Sequence, residues 1–285
     1  MKRYQRKPKP AIRWAAVAIC SSAAGVTALY YFLPMGVPVV TYATPVGQSQ
    51  AFELRDGTRV TLNTNTEIAV SFTHHFRDVQ LLSGEALFDV IHDQERPFRV
   101  CSSGHLLTDV GTKFNALLSG ATTTLTVKEG QVSVTGECSP GKHGELVVNR
   151  KETKARHAEF PSQVMLFAGD QALLPAQSPD TVLDKHRLTP GELTRAFAWN
   201  DGLLIFDNVS LREALAQINR YFAQQLELAD PSLANERIVG TYRSSTMNSI
   251  LEALRESHGI VALPADPGDP DPRIIRLIRL KDLPK

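Results

Sequence analysis

Through the first large part of the chain, hydrophobic residues alternate with polar ones at a period of two. Phe52 and Leu54 precede an Asp56-Gly57 turn signal, and Val60 and Leu62 follow it. Ile68, Val70 and Phe72 alternate next; Val79 and Leu81 lead into Ser83-Gly84, and Ala86, Phe88 and Val90 lead out. Such alternation predicts half-buried strands, and a tight Gly-containing turn between two runs predicts a hairpin. The series continues with Phe98 and Val100, Leu125 and Val127, a Glu129-Gly130 turn, Val132 and Val134, then late strands carrying Val164, Leu166 and Leu173 around Gly169-Asp170. No amphipathic helical pattern interrupts residues 51–175, so this segment is expected to be an all-β domain, either a β-sandwich or a short β-solenoid.

Residues 176–195 are irregular and polar, with Pro179, Pro190 and Gly191, and read as a linker. The period then changes. Leu203 to Phe206 reads as a strand; Ser210 with Glu213 forms a capping-box signature, and Leu211, Ala214, Leu215, Ile218 and Phe222 recur on one helical face. Ile238 to Tyr242 repeats the strand, and Met247, Ile250, Leu251 and Leu254 repeat the helical face. Gly259 closes that helix, and Ile260 to Leu263 and Ile274 to Leu280 supply further strands. Two strand-helix-strand units predict a small α+β domain over 196–285 with both helices on one sheet face.

The N-terminus has a third pattern. Residues 1–13 carry six Lys and Arg side chains and no acidic one, and residues 14–33 carry no charged side chain at all. Twenty helical residues reach roughly 30 Å, the thickness of a bilayer's hydrocarbon core, so 14–33 is expected to be a transmembrane helix. Trp14 at one end and Tyr30, Tyr31 and Phe32 at the other fit interfacial aromatics, and the basic flank places residues 1–13 in the cytoplasm. Everything after about residue 33 is then exported, with the uncharged, Pro- and Gly-punctuated stretch 34–50 as a spacer. A cleaved signal peptide is the rival reading of the same segment, with Thr41-Tyr42-Ala43 offering small residues at a cleavage site.

Composition narrows the chemistry. The 285 residues have a formal net charge of +1, but without the basic tail the body is mildly acidic, which gives no nucleic-acid footprint. Cys101 and Cys138 fall in the exported part, where an oxidising compartment permits a disulfide; two separate small side chains near strand ends is the alternative. Residues 136–143 approach a phosphate-binding loop but place His143 where a Ser or Thr hydroxyl is needed and run into strand-like sequence instead of a helix. His74 and His75 are adjacent and diverge on a strand. With His92, His105 and His143 they read as surface or loop residues, and no metal-ligand spacing occurs. Glu85 and Glu129 sit beside turn glycines and read as solvent-facing hairpin positions. The sequence therefore predicts neither enzyme nor cofactor protein.

The runs LRDGTRVTLNTNTEI (54–68), RDVQLLSGEALFDV (77–90), RPFRV (96–100), DVGTKFNALL (109–118) and TVKEGQVSV (126–134) resemble, in this order, the periplasmic domain of FecR-type transmembrane regulators. WNDGLLIFDNVSLREALAQINRY (199–221) resembles that family's C-terminal segment, and the doubled strand-helix-strand pattern is similar to the short N-terminal (STN) signalling domain of secretins and TonB-dependent receptors. The resemblance implies a single-pass inner-membrane protein with periplasmic domains. These would relay a siderophore signal from an outer-membrane TonB-dependent receptor to an extracytoplasmic-function sigma factor. It implies binding without catalysis or cofactor. Leu203, Leu204, Ile205, Phe206, Ile238, Val239 and Tyr242 are the candidate partner-binding positions if their strands are sheet edges, and core positions if the strands are interior. Trp199 and Tyr221 are likewise either contact anchors or packed side chains.

One feature departs from the family. Its members that act on a sigma factor carry a cytoplasmic helical domain before the span, and 13 residues with two prolines are too short to build one. A separate cytoplasmic polypeptide, an upstream start or a lost output domain would each account for this. An exported β-rich scaffold or carbohydrate-binding protein of the envelope is the competing functional class.

Overall fold

In the computed structural model the described residues are 38–109, 111–136, 138–140, 146–148, 164–176, 184–263, 271 and 273–283. Residues 38–285 constitute one compact unit. The basic tail and the expected membrane span lie outside the described residues, among which no helix is long and apolar enough to cross a membrane.

The first part is all β. Its strands are β1 (Val40–Thr44), β2 (Gln50–Glu53), β3 (Arg59–Leu62), β4 (Thr66–Phe72), β5 (Arg77–Asp89), β6 (Phe98–Ser102), β7 (His105–Asp109), β8 (Lys113–Ser119), β9 (Thr122–Glu129), β10 (Gln131–Gly136), β11 (Cys138–Pro140), β12 (Leu146–Val148), β13 (Val164–Phe167), β14 (Asp170–Pro175) and β15 (Asp184–Arg187). The long strand β5 serves two layers. Its first half pairs with β4 and, in parallel, with β6, and its second half pairs with β3 and β8. One layer therefore runs β1-β4-β5-β6-β7-β10-β13 and the other β2-β3-β5-β8-β9-β14-β15. Their inner faces share one core. Ile68, Val79, Phe98 and Leu107 of the first meet Val60, Phe88, Phe114 and Leu125 of the second, and the Phe88 ring lies 5.1 Å from Phe114 and 5.7 Å from Phe98. This is the two-layer form of the expected all-β domain.

β5 changes layer at Gly84. Its φ is +80°, and a Cβ there would lie 2.6 Å from both the Thr66 Cα and the Asn65 carbonyl oxygen, so only glycine fits the crossing. The β4–β5 register shifts at the same point, between Glu67 and Ile68. A bulge of this kind bends the strand and increases its twist, which turns one strand from one sheet into the next.

Two stretches differ from the sequence expectation. β1 lies inside the stretch read as spacer: Tyr42 stacks on Phe52 at 4.3 Å and Thr44 is buried, so five residues between the Pro- and Gly-rich punctuation pair with β4 as an edge strand. The stretch read as linker contains β15, which extends the second layer, and the start of helix α1 (Pro190–Phe197). Thr189 caps α1 in a capping box with Glu192, and Pro190 sits in the first turn, where a missing N–H costs nothing. The Pro-Gly pair that resembled a loop is therefore a helix start.

The second part contains β16 (Leu203–Ser210), α2 (Leu211–Ile218), β17 (Gln225–Leu228), β18 (Arg237–Arg243), α3 (Met247–His258), β19 (Ile260–Ala262) and β20 (Ile274–Arg279). Instead of one sheet there are two, β16-β18 and β17-β20-β19. The helices lie between them. α2 packs against β16, β18 and β17, and α3 against β18 and β19. Leu211, Ala214, Leu215 and Ile218 of α2 and Ile250 and Leu254 of α3 fill a core with Phe206, Ile238, Ile260 and Leu277. Each helix buries a single apolar face, with Arg212, Glu213 and Gln217 of α2 and Asn248, Glu252 and Arg255 of α3 exposed, and that face packs against strands of both sheets.

Candidate functional site

The predicted partner-binding residues divide by strand face. Leu204, Phe206, Ile238 and Tyr242 point into the core, where the Phe206 and Tyr242 rings lie 5.4 Å apart. Leu203 and Ile205 are half-buried on the opposite face, and Val239 is 59% exposed, the most exposed large hydrophobic side chain among the described residues. Val239 is flanked on its face of β18 by exposed Arg237, Thr241 and Arg243. Among the described residues the two strands pair only with each other, so each has one edge without a strand partner there. Ser244 N–H donates to the Gly202 carbonyl, and the antiparallel alternation from there leaves the amides of Leu203 and Ile205 facing away from β18.

That outer edge of β16 lines a cleft of about 460 Å³. The opposite wall is the outer face of the second β layer, including Asn115, Thr124, Thr126 and Gln171, and α1 with the turn after it contributes Glu192, Arg195 and Trp199. Trp199 is buried against Leu87 and Phe197. The Lys128 ammonium sits 5.2 Å from the centre of the Phe197 ring, within cation–π reach.

At the other side of the cleft a polar cluster joins the two parts. Glu85, expected at a solvent-facing turn, is 4% exposed because the C-terminal part covers it. Its carboxylate accepts from Asn63 Nδ2 at 2.9 Å, Asn115 Nδ2 at 2.8 Å and the Arg220 guanidinium at 2.6 Å. Asn63 Nδ2 also donates to the Tyr221 hydroxyl at 2.8 Å, and Thr64 Oγ1 donates to the Arg220 carbonyl at 3.0 Å. Burial, with the nearby Glu85 carboxylate, pushes the Tyr221 phenol above its ordinary value against the Asn63 hydrogen bond, so it stays neutral. Tyr221 is thus a core residue of the C-terminal part whose hydroxyl reaches the β domain. Nothing in the local sequence announces Glu85 as buried, since the residue that pairs with it lies 135 positions away.

Cys101 and Cys138 form a disulfide with a Cα separation of 5.9 Å, tying β6 to β11 beside Leu106. His105, read as a surface or loop residue, is instead a buried strand position. Burial lowers its pKa, opposed by the contact with the Ser103 carbonyl. His74, His75 and His92 are exposed, and His143 lies outside the described residues. The segment resembling a phosphate loop runs into the hairpin β11–β12. Among the described residues no three His, Cys, Asp or Glu side chains converge as a metal site.

The described residues form a layered β domain joined to a two-sheet α+β module. Residues 40–133 match the family described as FecR protein and residues 203–261 the family described as FecR, C-terminal, together more than half of the chain, and the chain belongs to the FecR family. Two crystal structures of a candidate anti-sigma factor from Parabacteroides distasonis ATCC 8503 share its fold. Each has a TM-score of 0.61, at 22% and 21% identity, covering 84% and 85% of this chain and 99% of the other. No curated protein sequence matches the chain at a significant level.

Proposed function

We propose that this chain is a membrane-anchored regulator of an extracytoplasmic-function sigma factor, and that its exported modules receive the signal by contact with the signalling domain of an outer-membrane TonB-dependent receptor. The observation that carries this reading is the succession of the two FecR-family segments within one compact unit. The similar fold of the Parabacteroides anti-sigma candidate supports the sigma-factor side. The Cys101–Cys138 disulfide supports an oxidising compartment such as the periplasm. Residues 14–33 would be the single inner-membrane span, with residues 1–13 cytoplasmic and the sigma factor reached directly or through a separate cytoplasmic polypeptide. The siderophore input and the likeness of 196–285 to an STN domain belong to the same reading. The role is binding rather than catalysis.

The test has two arms. Deleting the gene should change transcription from promoters of one extracytoplasmic-function sigma factor of the same genome, and the 38–285 unit should co-purify with the signalling domain of one TonB-dependent receptor from that genome. Unchanged transcription and no capture across the full set of such domains would overturn the proposal. An enzyme reporter that works only outside the cytoplasm should be active when fused after Leu33, and inactivity there would overturn the topology.

A further inference from the structure

The contact around Glu85 joins the molecule's two modules. Three hydrogen bonds cross it: Arg220 to Glu85, Asn63 to Tyr221, and Thr64 to the Arg220 carbonyl. The ion pair is asymmetric in exposure, with 5% of the Glu85 side chain and 29% of the Arg220 side chain accessible, so the carboxylate is the group that depends on its partner. Without Arg220 the buried Glu85 carboxylate keeps only the neutral Asn63 and Asn115 donors and has no counter-charge, which is costly in a buried site. The same interface is imperfect elsewhere. Asn115 Oδ1 and Trp199 Nε1, both on residues lining the cleft, are buried without a hydrogen-bond partner. Each favours an arrangement in which the cleft is wider and the atom hydrated. Closure therefore rests on the Glu85–Arg220 pair, the two neutral hydrogen bonds beside it and the Leu87–Phe197–Trp199 contact, against two groups that favour opening.

We propose that the Glu85–Arg220 contact is a switchable clasp: closed, it holds the outer edge of β16 inside the cleft, and released, it frees the C-terminal module and exposes the Leu203 and Ile205 amides. The clasp gives the fold a two-state element that a partner could bias from outside the cleft. Its use in signalling rests on the reading of the C-terminal module as the receiving one. The clasp itself does not.

Hydrogen exchange on the purified full chain tests it. Arg220→Met should speed exchange of the β16 amides roughly tenfold or more while leaving the β6 and β8 core strands protected. Arg220→Lys, which keeps the charge, should stay closer to the parent chain than Arg220→Met. The double variant Glu85→Gln/Arg220→Met should open less than Arg220→Met alone, because no buried charge is left uncompensated. Unchanged β16 exchange in Arg220→Met would overturn the clasp. Equal acceleration in β6, β8 and β16 would overturn it as well, since the pair would then act on global stability. If the exchange pattern holds but no receptor domain is captured, the receptor relay fails and the clasp stands.

Discussion

Arg77 shows how much a single buried charge commits the surrounding chain. Its side chain is fully buried, bonded to Asp56 at 2.7 Å and to the carbonyls of Arg96 and Ile91, with its guanidinium 5.5 Å from the centre of the Phe98 ring. Asp56 in turn accepts from the Thr58 hydroxyl at 2.7 Å. Asp56→Ala leaves the guanidinium without its counter-charge and should cost about 3–5 kcal/mol in urea unfolding. Gly84→Ala should cost more than about 1 kcal/mol, because it combines a positive φ with a collision against the Thr66 and Asn65 backbone. Asp170 makes a pH prediction. Burial pushes its carboxyl up, but the Phe167 N–H and the Lys185 ammonium hold it below the ordinary 3.8. The folded chain thus binds this proton less readily than the unfolded chain does. The stabilisation is fully present above 3.8 and is lost as the pH falls through the depressed folded value. Asp170→Asn should lower stability near neutral pH and make little difference in strong acid, as read by unfolding at both conditions.

At the scale of the element, the helices and the disulfide carry separable contributions. Ser210 accepts from the Glu213 amide while the Glu213 carboxylate accepts from the Ser210 N–H at 2.8 Å, and Ser210→Ala should cost about 1 kcal/mol. Reducing the Cys101–Cys138 bond releases a loop spanned by a sequence separation of 37 and should cost roughly 4 kcal/mol by loop-closure entropy. Val239→Asp lies on an exposed strand position, so thermal stability should move by no more than about 0.5 kcal/mol. Capture of the receptor domain should fall if β18 is the docking strand. Element types were legible where the pattern was local: the Asp56-Gly57 hairpin, the Ser210 capping box and the Gly259 helix stop follow from short-range chemistry, whereas Ser83-Gly84 lies within the continuous strand β5 and the strands flanking Glu129-Gly130 and Gly169-Asp170 pair with other partners. What escaped was set by distant partners. β1 became a strand because Phe52 and β4 were there to receive it, and the split of the C-terminal strands into two sheets is set by long-range pairings such as parallel β17–β20.

For the molecule as a whole, the candidate site was only half legible. The sequence left all seven candidate positions open between sheet edge and core; the alternation that turns Leu203, Ile205 and Val239 outward puts Leu204, Phe206, Ile238 and Tyr242 in the core. The Glu85 cluster had no sequence signature, because Asn63, Glu85, Asn115 and Arg220 look like four unrelated polar residues until the C-terminal module covers them. The shared strand β5 has a further consequence for how the β domain comes apart. Neither layer retains its central strand without the other, so the domain has no half that can persist alone. Denaturant should unfold both layers in one transition. For any enzyme that attacks the chain between β4 and β8, the domain is therefore either whole or lost.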